Sequence, residues 1–137
     1  MTLDAQSLIK AYFAEGTLPG LPDGHFIGGR IVANSDGDWL DSHDPGNGQA
    51  FARFGAGKGE DVSRAVEAAQ QGLAVWRDTP PATRCQVLNR AAALIRERSD
   101  YFAVVEAVDS GKTLAEARGD VRSCIRLFEY YAGIADK

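Results

Sequence analysis

Chemistry based on sulfur or imidazole has little to work with in this chain, since only 2 cysteines and 2 histidines stand among its 137 residues. Cys85 and Cys124 lie in stretches of helical periodicity, with no partner at metal-ligand spacing. They are read as small buried hydrophobes, not as a disulfide or an active thiol. His25 and His43 are too isolated to build a metal site by themselves. Basic residues are not in excess either. A formal charge of −4 and a pI near 5.1 leave no cationic stripe to neutralise phosphates, which argues against a generic nucleic-acid binder. No basic stretch and long apolar run follow Met1, so neither a signal peptide nor a membrane span is visible, and a cytoplasmic location is the default.

What the chain does have is the balance of a soluble globular protein, 45% apolar and 25% charged, at a length that suits one ordinary domain. Residues 2–15 carry Leu3, Leu8, Ile9, Tyr12 and Phe13 in a weakly amphipathic helical pattern, which breaks at Gly16 and the Pro19–Pro22 linker. Short strand-like runs follow. Phe26-Ile27 and Ile31-Val32 flank Gly28-Gly29-Arg30, while Trp39-Leu40 precedes the turn Asp44-Pro45-Gly46-Asn47-Gly48, which leads into Ala50–Phe54. Proline fixes φ and glycine accepts positive φ, so the chain can reverse twice in a short distance, as a small antiparallel meander.

Beyond Gly55–Gly59 the hydrophobic period lengthens from two to 3.6. Val62, Ala65, Val66, Ala69, Leu73 and Trp76 define one helical face, with Glu60 and Asp61 in the first turn where the helix dipole favours carboxylates. Thr79-Pro80-Pro81 predicts a capped start for a second helix, buried along Val87, Leu88, Ala91, Leu94 and Ile95. Ser99-Asp100 caps a continuation through Val108, and Gly111 suits its C′ position. Thr113-x-x-Glu116 is a capping box for a last helix, whose apolar stripe runs Leu114, Ala117, Val121, Cys124, Ile125, Phe128, Tyr131, Ala132 and Ala135. Tyr130-Tyr131 has no interleaved basic residues, so packing accounts for it better than base stacking.

Two stretches imitate phosphate-binding loops. Gly111-Lys112-Thr113 has the ending of a P-loop, but that motif needs a glycine at position 106, which is Glu, and a preceding strand where the pattern here is helical. Gly55–Gly59 has the look of a dinucleotide fingerprint, yet position 62 is Val where glycine is required. A hinge between sheet and helix explains it better.

Taken in order, these landmarks resemble the aldehyde dehydrogenase superfamily. Phe26–Arg30 resembles its F-I-N-G-x opening, Asp44–Gly48 its N-P-x-T-G turn, and Glu60–Val66 the E-D-V-x-x-A-V start of its first long helix, with Trp76 at that helix's end. Glu106–Arg118 is similar to E-x-x-D-x-G-K-P-x-x-E-A, and Tyr130–Gly133 to the closing part of F-x-Y-Y-A-G. Asp44, Asn47 and Thr113 depart from the usual Asn, Thr and Pro, all as substitutions the turns tolerate. The resemblance covers about residues 26–137. It implies an α+β arrangement, a meander followed by three to four packed helices, being the N-terminal part of the family's α/β fold. Residues 1–24 would be an N-terminal helix and linker. Residues 25–137 would be an incomplete portion of the cofactor-binding domain.

The resemblance also implies oxidation of an aldehyde to a carboxylic acid with NAD or NADP, using a cysteine nucleophile, an asparagine and a backbone N–H at the oxyanion, and a glutamate base. In the family these groups, the cofactor loop and the ribose-binding lysine lie beyond the point matching Lys137. The expectation is therefore no catalytic and no cofactor-binding residue in this chain, no activity alone and no NAD(P) binding alone. One family site is partly represented, a monovalent cation held by a backbone carbonyl and an aspartate at positions matching Ser42 and Asp109. Asp109 also reads as a turn residue accepting backbone N–H groups, and both readings stand. The implied partners are the remainder of the aldehyde dehydrogenase fold, or self-association through apolar helix faces, the full-length family being homo-oligomeric. The alternative is a stand-alone helical interaction or regulatory module derived from the family.

Overall fold

The computed structural model describes residues 4–135 and 137. The first helix, α1 (Ala5–Glu15), starts where the Asp4 carboxylate accepts the Ser7 N–H at 2.9 Å. It stops at Gly16, whose left-handed φ of 70° returns an N–H to the Tyr12 carbonyl. Leu3, part of the expected pattern, lies outside the described residues. Two strand pairs follow. β1 (His25–Ile27) and β2 (Arg30–Val32) are joined by Gly28-Gly29, both at positive φ, as a two-residue hairpin turn that follows the natural strand twist demands.

β3 (Trp39–His43) pairs antiparallel with β4 (Ala50–Gly55), with an irregularity in the register between Ser42 and His43. The expected meander is thus resolved into two hairpins, because β2 and β3 share no ladder. Helices α2 (Gly59–Asp78), α3 (Pro81–Glu97), α4 (Ser99–Ser110) and α5 (Leu114–Gly133) complete an α+β chain.

The core has two parts that meet at α4. Leu8 and Tyr12 of α1 pack with Leu18, Phe51 of β4 and Val104. Next to Val104, Ala103 faces the other way, toward Ala92 of α3 and Ala117, Val121 and Ile125 of α5. Ala92, Ala103 and Ala117 are each no more than 1% exposed, so three helix backbones approach closely through small side chains.

Several expected faces are not covered. On α2 the apolar row is present, yet Val62, Val66, Leu73 and Trp76 are 40–63% exposed, and the helix rests mainly on β1. Val87 of α3 is also exposed. Cys124, expected to be buried, is exposed, and Cys85 is half-buried; both are free thiols. The reason is local: the closed edge of α5 runs at intervals of four through Ala117, Val121 and Ile125, and Cys124 sits beside that edge in an open groove with Phe102. Thr79 ends α2 instead of opening α3: its hydroxyl donates back to the Val75 carbonyl at 2.8 Å, and Pro80 takes the N-cap position without a side-chain bond.

Candidate functional site

The two turns that carry the most distinctive motifs lie against each other. After Ser42 the chain enters the turn 44–48, where the Asp44 carbonyl accepts Gly48 N–H at 2.7 Å and the Asp44 carboxylate accepts Gly46 N–H at 2.7 Å. The side-chain bond is the Asx geometry that favours Asp at this position. Pro45 then lies over Gly111, the left-handed C-cap of α4 at φ 73°. Two residues before that glycine, Asp109 accepts the Ser42 hydroxyl proton through Oδ1 at 2.8 Å. The structure therefore brings together Ser42 and Asp109, 67 positions apart in sequence. Both line a cleft of about 350 Å³, together with Phe51 and His25.

The turn has a second attachment. The buried Tyr12 hydroxyl donates to Asp44 Oδ2, and Asn47 Nδ2 donates to the same hydroxyl at 3.2 Å. Burial first, then the neighbouring Asp44 carboxylate, hold the phenol above its ordinary range. Reading the sequence placed Tyr12 on a helix face and left the charge of Asp44 without a role. The signal was available in the two turn positions that depart from the family pattern, which are the two that meet Tyr12.

Lys112 does not reach toward a phosphate. Its ammonium bridges Asp120 Oδ2 at 2.8 Å and the Glu106 carboxylate, and these bonds raise its pKa from the usual lysine value. It joins the end of α4 to the start of α5. Thr113 and Glu116 form the expected reciprocal cap, with Thr113 N–H donating to Glu116 at 3.0 Å and Glu116 N–H to the Thr113 hydroxyl at 3.3 Å.

The glycine-rich hinge leads into a helix start that carries a buried carboxylate of its own. Asp61, 3% exposed, occupies the N-terminus of α2. Its carboxylate accepts Lys58 N–H at 3.0 Å, Ser35 N–H at 3.1 Å, the Ser35 hydroxyl and the Arg64 guanidinium. The Lys58 amide leads the bonds that hold Asp61 well below the usual carboxylate range. A helix N-terminus favours negative charge, and here the Asp61 carboxylate supplies it while accepting the N-cap Lys58 N–H. Lys58 itself pairs with Asp36 and Asp38. Among the described residues no three His, Cys, Asp or Glu side chains cluster as metal ligands, and no helix is long and apolar enough to cross a membrane.

The model for the aldehyde dehydrogenase family matches residues 31–137. The chain belongs to the aldehyde dehydrogenase family. The apo form of a betaine aldehyde dehydrogenase variant from Staphylococcus aureus is 30% identical and superposes with a TM-score of 0.83, covering 87% of this chain and 24% of that one. An NAD+ complex of another variant of that enzyme is 30% identical at TM-score 0.83, covering 88% of this chain and 25% of that one. HpcC from Thermus thermophilus is 32% identical at TM-score 0.80, covering 82% of this chain and 22% of that one. The chain thus spans about a quarter of the length of these proteins. It is homologous to their N-terminal part, and the α+β class expected from the sequence agrees with them.

Proposed function

We propose that this chain serves as the N-terminal segment of an NAD(P)-dependent aldehyde dehydrogenase, which oxidises an aldehyde to a carboxylic acid, and that it supplies architecture to the reaction and none of its reacting groups. The observation that carries this reading is the docking of Asp44–Gly48 on Gly111, within a backbone that follows aldehyde dehydrogenases at a TM-score of 0.83. By itself the segment is inactive and does not bind NAD or NADP. In support, the glycine hinge leads into a helix start where the buried Asp61 carboxylate already sits, accepting the Lys58 N–H.

The natural partner of the segment is the remainder of the aldehyde dehydrogenase fold, within a homo-oligomer. Support comes from the helix faces left open: Leu73 and Val75 on α2 are 63% and 72% exposed, and Tyr130 on α5 is 62% exposed. Covering each large apolar side chain contributes about 1.5–3 kcal/mol, so these faces favour association with more polypeptide or with one another. Ser42 and Asp109, held together by the hydroxyl–carboxylate bond at 2.8 Å, would contribute oxygen ligands to a monovalent cation, with further oxygens supplied from outside the segment.

A chimera tests the reading. The matching quarter of Staphylococcus aureus betaine aldehyde dehydrogenase is replaced by this chain, and NAD+ reduction with aldehyde is followed by the absorbance of the reduced nicotinamide. A folded, active chimera is expected. A chimera that folds and binds NAD+ but does not turn over would contradict a purely architectural role.

A further inference from the structure

We propose that Tyr12 is a positioning residue for the Ser42–Asp109 oxygen pair, acting through Asp44, Asn47 and the turn that carries Pro45. The proposal rests on the reading that this pair contributes to a monovalent-cation site.

Tyr12 is 8% exposed and packs against Leu8 and Val104. A phenylalanine would fill the same space without burying a hydroxyl, and a buried hydroxyl costs free energy unless it finds partners. The partners here are both in one turn. Asp44 spans from the phenol to Gly46 N–H, using Oδ2 for the first and Oδ1, at 2.7 Å, for the second. Asn47 does the same in mirror fashion: Nδ2 reaches the phenol at 3.2 Å, while Oδ1 accepts Gln49 N–H at 2.8 Å. Each side chain thus ties the turn's backbone to α1.

The turn is also where the two members of the oxygen pair meet mechanically. It begins two residues after Ser42, and its Pro45 bears on Gly111, two residues after Asp109. A displacement of the turn therefore moves the Ser42 strand end and releases the cap of the helix holding Asp109. The other end of α1 is fastened as well: Ala5 N–H donates to Asp100 Oδ2 at 3.2 Å, and Arg118 holds Asp100 Oδ1 at 3.2 Å. Fixed at both ends, α1 crosses α4 as a strap, and Tyr12 is the point at which it grips the turn.

The test uses the nitrogen-labelled chain and three variants, Tyr12→Phe, Asn47→Ala and the double variant Tyr12→Phe/Asp44→Asn. Amide hydrogen exchange is read at Gly48 and Gly111, with Val121 and Ile125 as references, and sodium binding is read from the sodium NMR linewidth of the betaine aldehyde dehydrogenase chimera, whose remaining part supplies the further oxygens. Tyr12→Phe should accelerate exchange at Gly48 and Gly111 at least about fivefold while leaving the α5 references unchanged, since local opening is separable from global unfolding. It should also weaken sodium binding. The double variant also lacks the phenol tie and should keep the faster exchange; a return to slow exchange would assign the effect to an unpaired carboxylate and overturn the proposal. Unchanged rates at Gly48 and Gly111 overturn the proposal. So does a uniform acceleration that includes Val121 and Ile125, which would make Tyr12 an ordinary core residue. If Tyr12→Phe fails to fold, Asn47→Ala decides: faster exchange at the same two amides supports the strap, and no change overturns it. A wild-type chimera that never broadens the sodium line removes the cation reading, while the exchange rates still decide the strap.

Discussion

Pro45 sits so close over Gly111 that a β-carbon added to the glycine would lie 2.7 Å from the proline Cγ. The same glycine has a φ of 73°, so an L side chain there meets both a neighbour and its own backbone. Gly111→Ala should cost about 1–2 kcal/mol from the left-handed conformation alone, with the contact adding to it. Urea denaturation of Gly111→Ala, Pro45→Ala and the double variant separates the two. Pro45→Ala should rescue the contact part and leave the conformational part, and strict additivity would contradict the packing described here.

Asp61 gives a pH dependence with a defined sign. Its carboxyl is held below the usual range by Lys58 N–H, with Arg64 and Ser35 adding to the effect. The unfolded chain then binds this proton first, so the stabilisation is fully present above about pH 5 and is lost as pH falls through the unfolded value of about 3.9 and toward the depressed folded one. Asp61→Asn should lower the melting temperature at neutral pH and flatten the acid side of a melting-temperature profile. A parallel, merely shifted profile would show that Asp61 is not the group responsible.

The closed and open helix faces should respond oppositely to substitution. Ala103 is fully buried where α3, α4 and α5 converge, so Ala103→Leu should cost about 1–3 kcal/mol by overpacking. Val66→Glu and Leu73→Glu lie on the open side of α2 and should change stability by no more than about 0.5 kcal/mol. The two glutamates should instead reduce self-association, measured by light scattering at rising protein concentration. Scattering that does not change with them would place the sticky surface elsewhere.

Thr113 offers a cleaner local test. Thr113→Ala removes the acceptor of Glu116 N–H and should cost about 1 kcal/mol by chemical denaturation. An equal loss in Glu116→Ala, with little further loss in the double variant, would identify the pair as one reciprocal unit. Additive losses would contradict that.

Features decided within a few residues were legible from the sequence. Gly111 as a C-cap, the Thr113–Glu116 box and Gly28-Gly29 as a hairpin turn follow from φ restrictions and from backbone N–H groups that need acceptors. Features that depend on what lies opposite were less so. The row Val62, Val66, Leu73 and Trp76 announces a helix with an apolar face, but periodicity does not say whether anything covers it. Cys124 and Thr79 went the same way, one beside the closed seam of α5 and the other bonding backward into α2. Ser42 and Asp109 were paired through resemblance, and the fold places them in hydrogen-bond contact. The Tyr12–Asp44 bond links positions 32 apart, beyond the reach of any local pattern.

An architectural segment has a direct thermodynamic signature, which calorimetric titration of NAD+ into the purified 137-residue chain reads. Heats indistinguishable from dilution, with no saturation, are the expected result, because the proposed role gives this segment no cofactor-binding residue. A saturable isotherm with one-to-one stoichiometry would contradict the account at its centre.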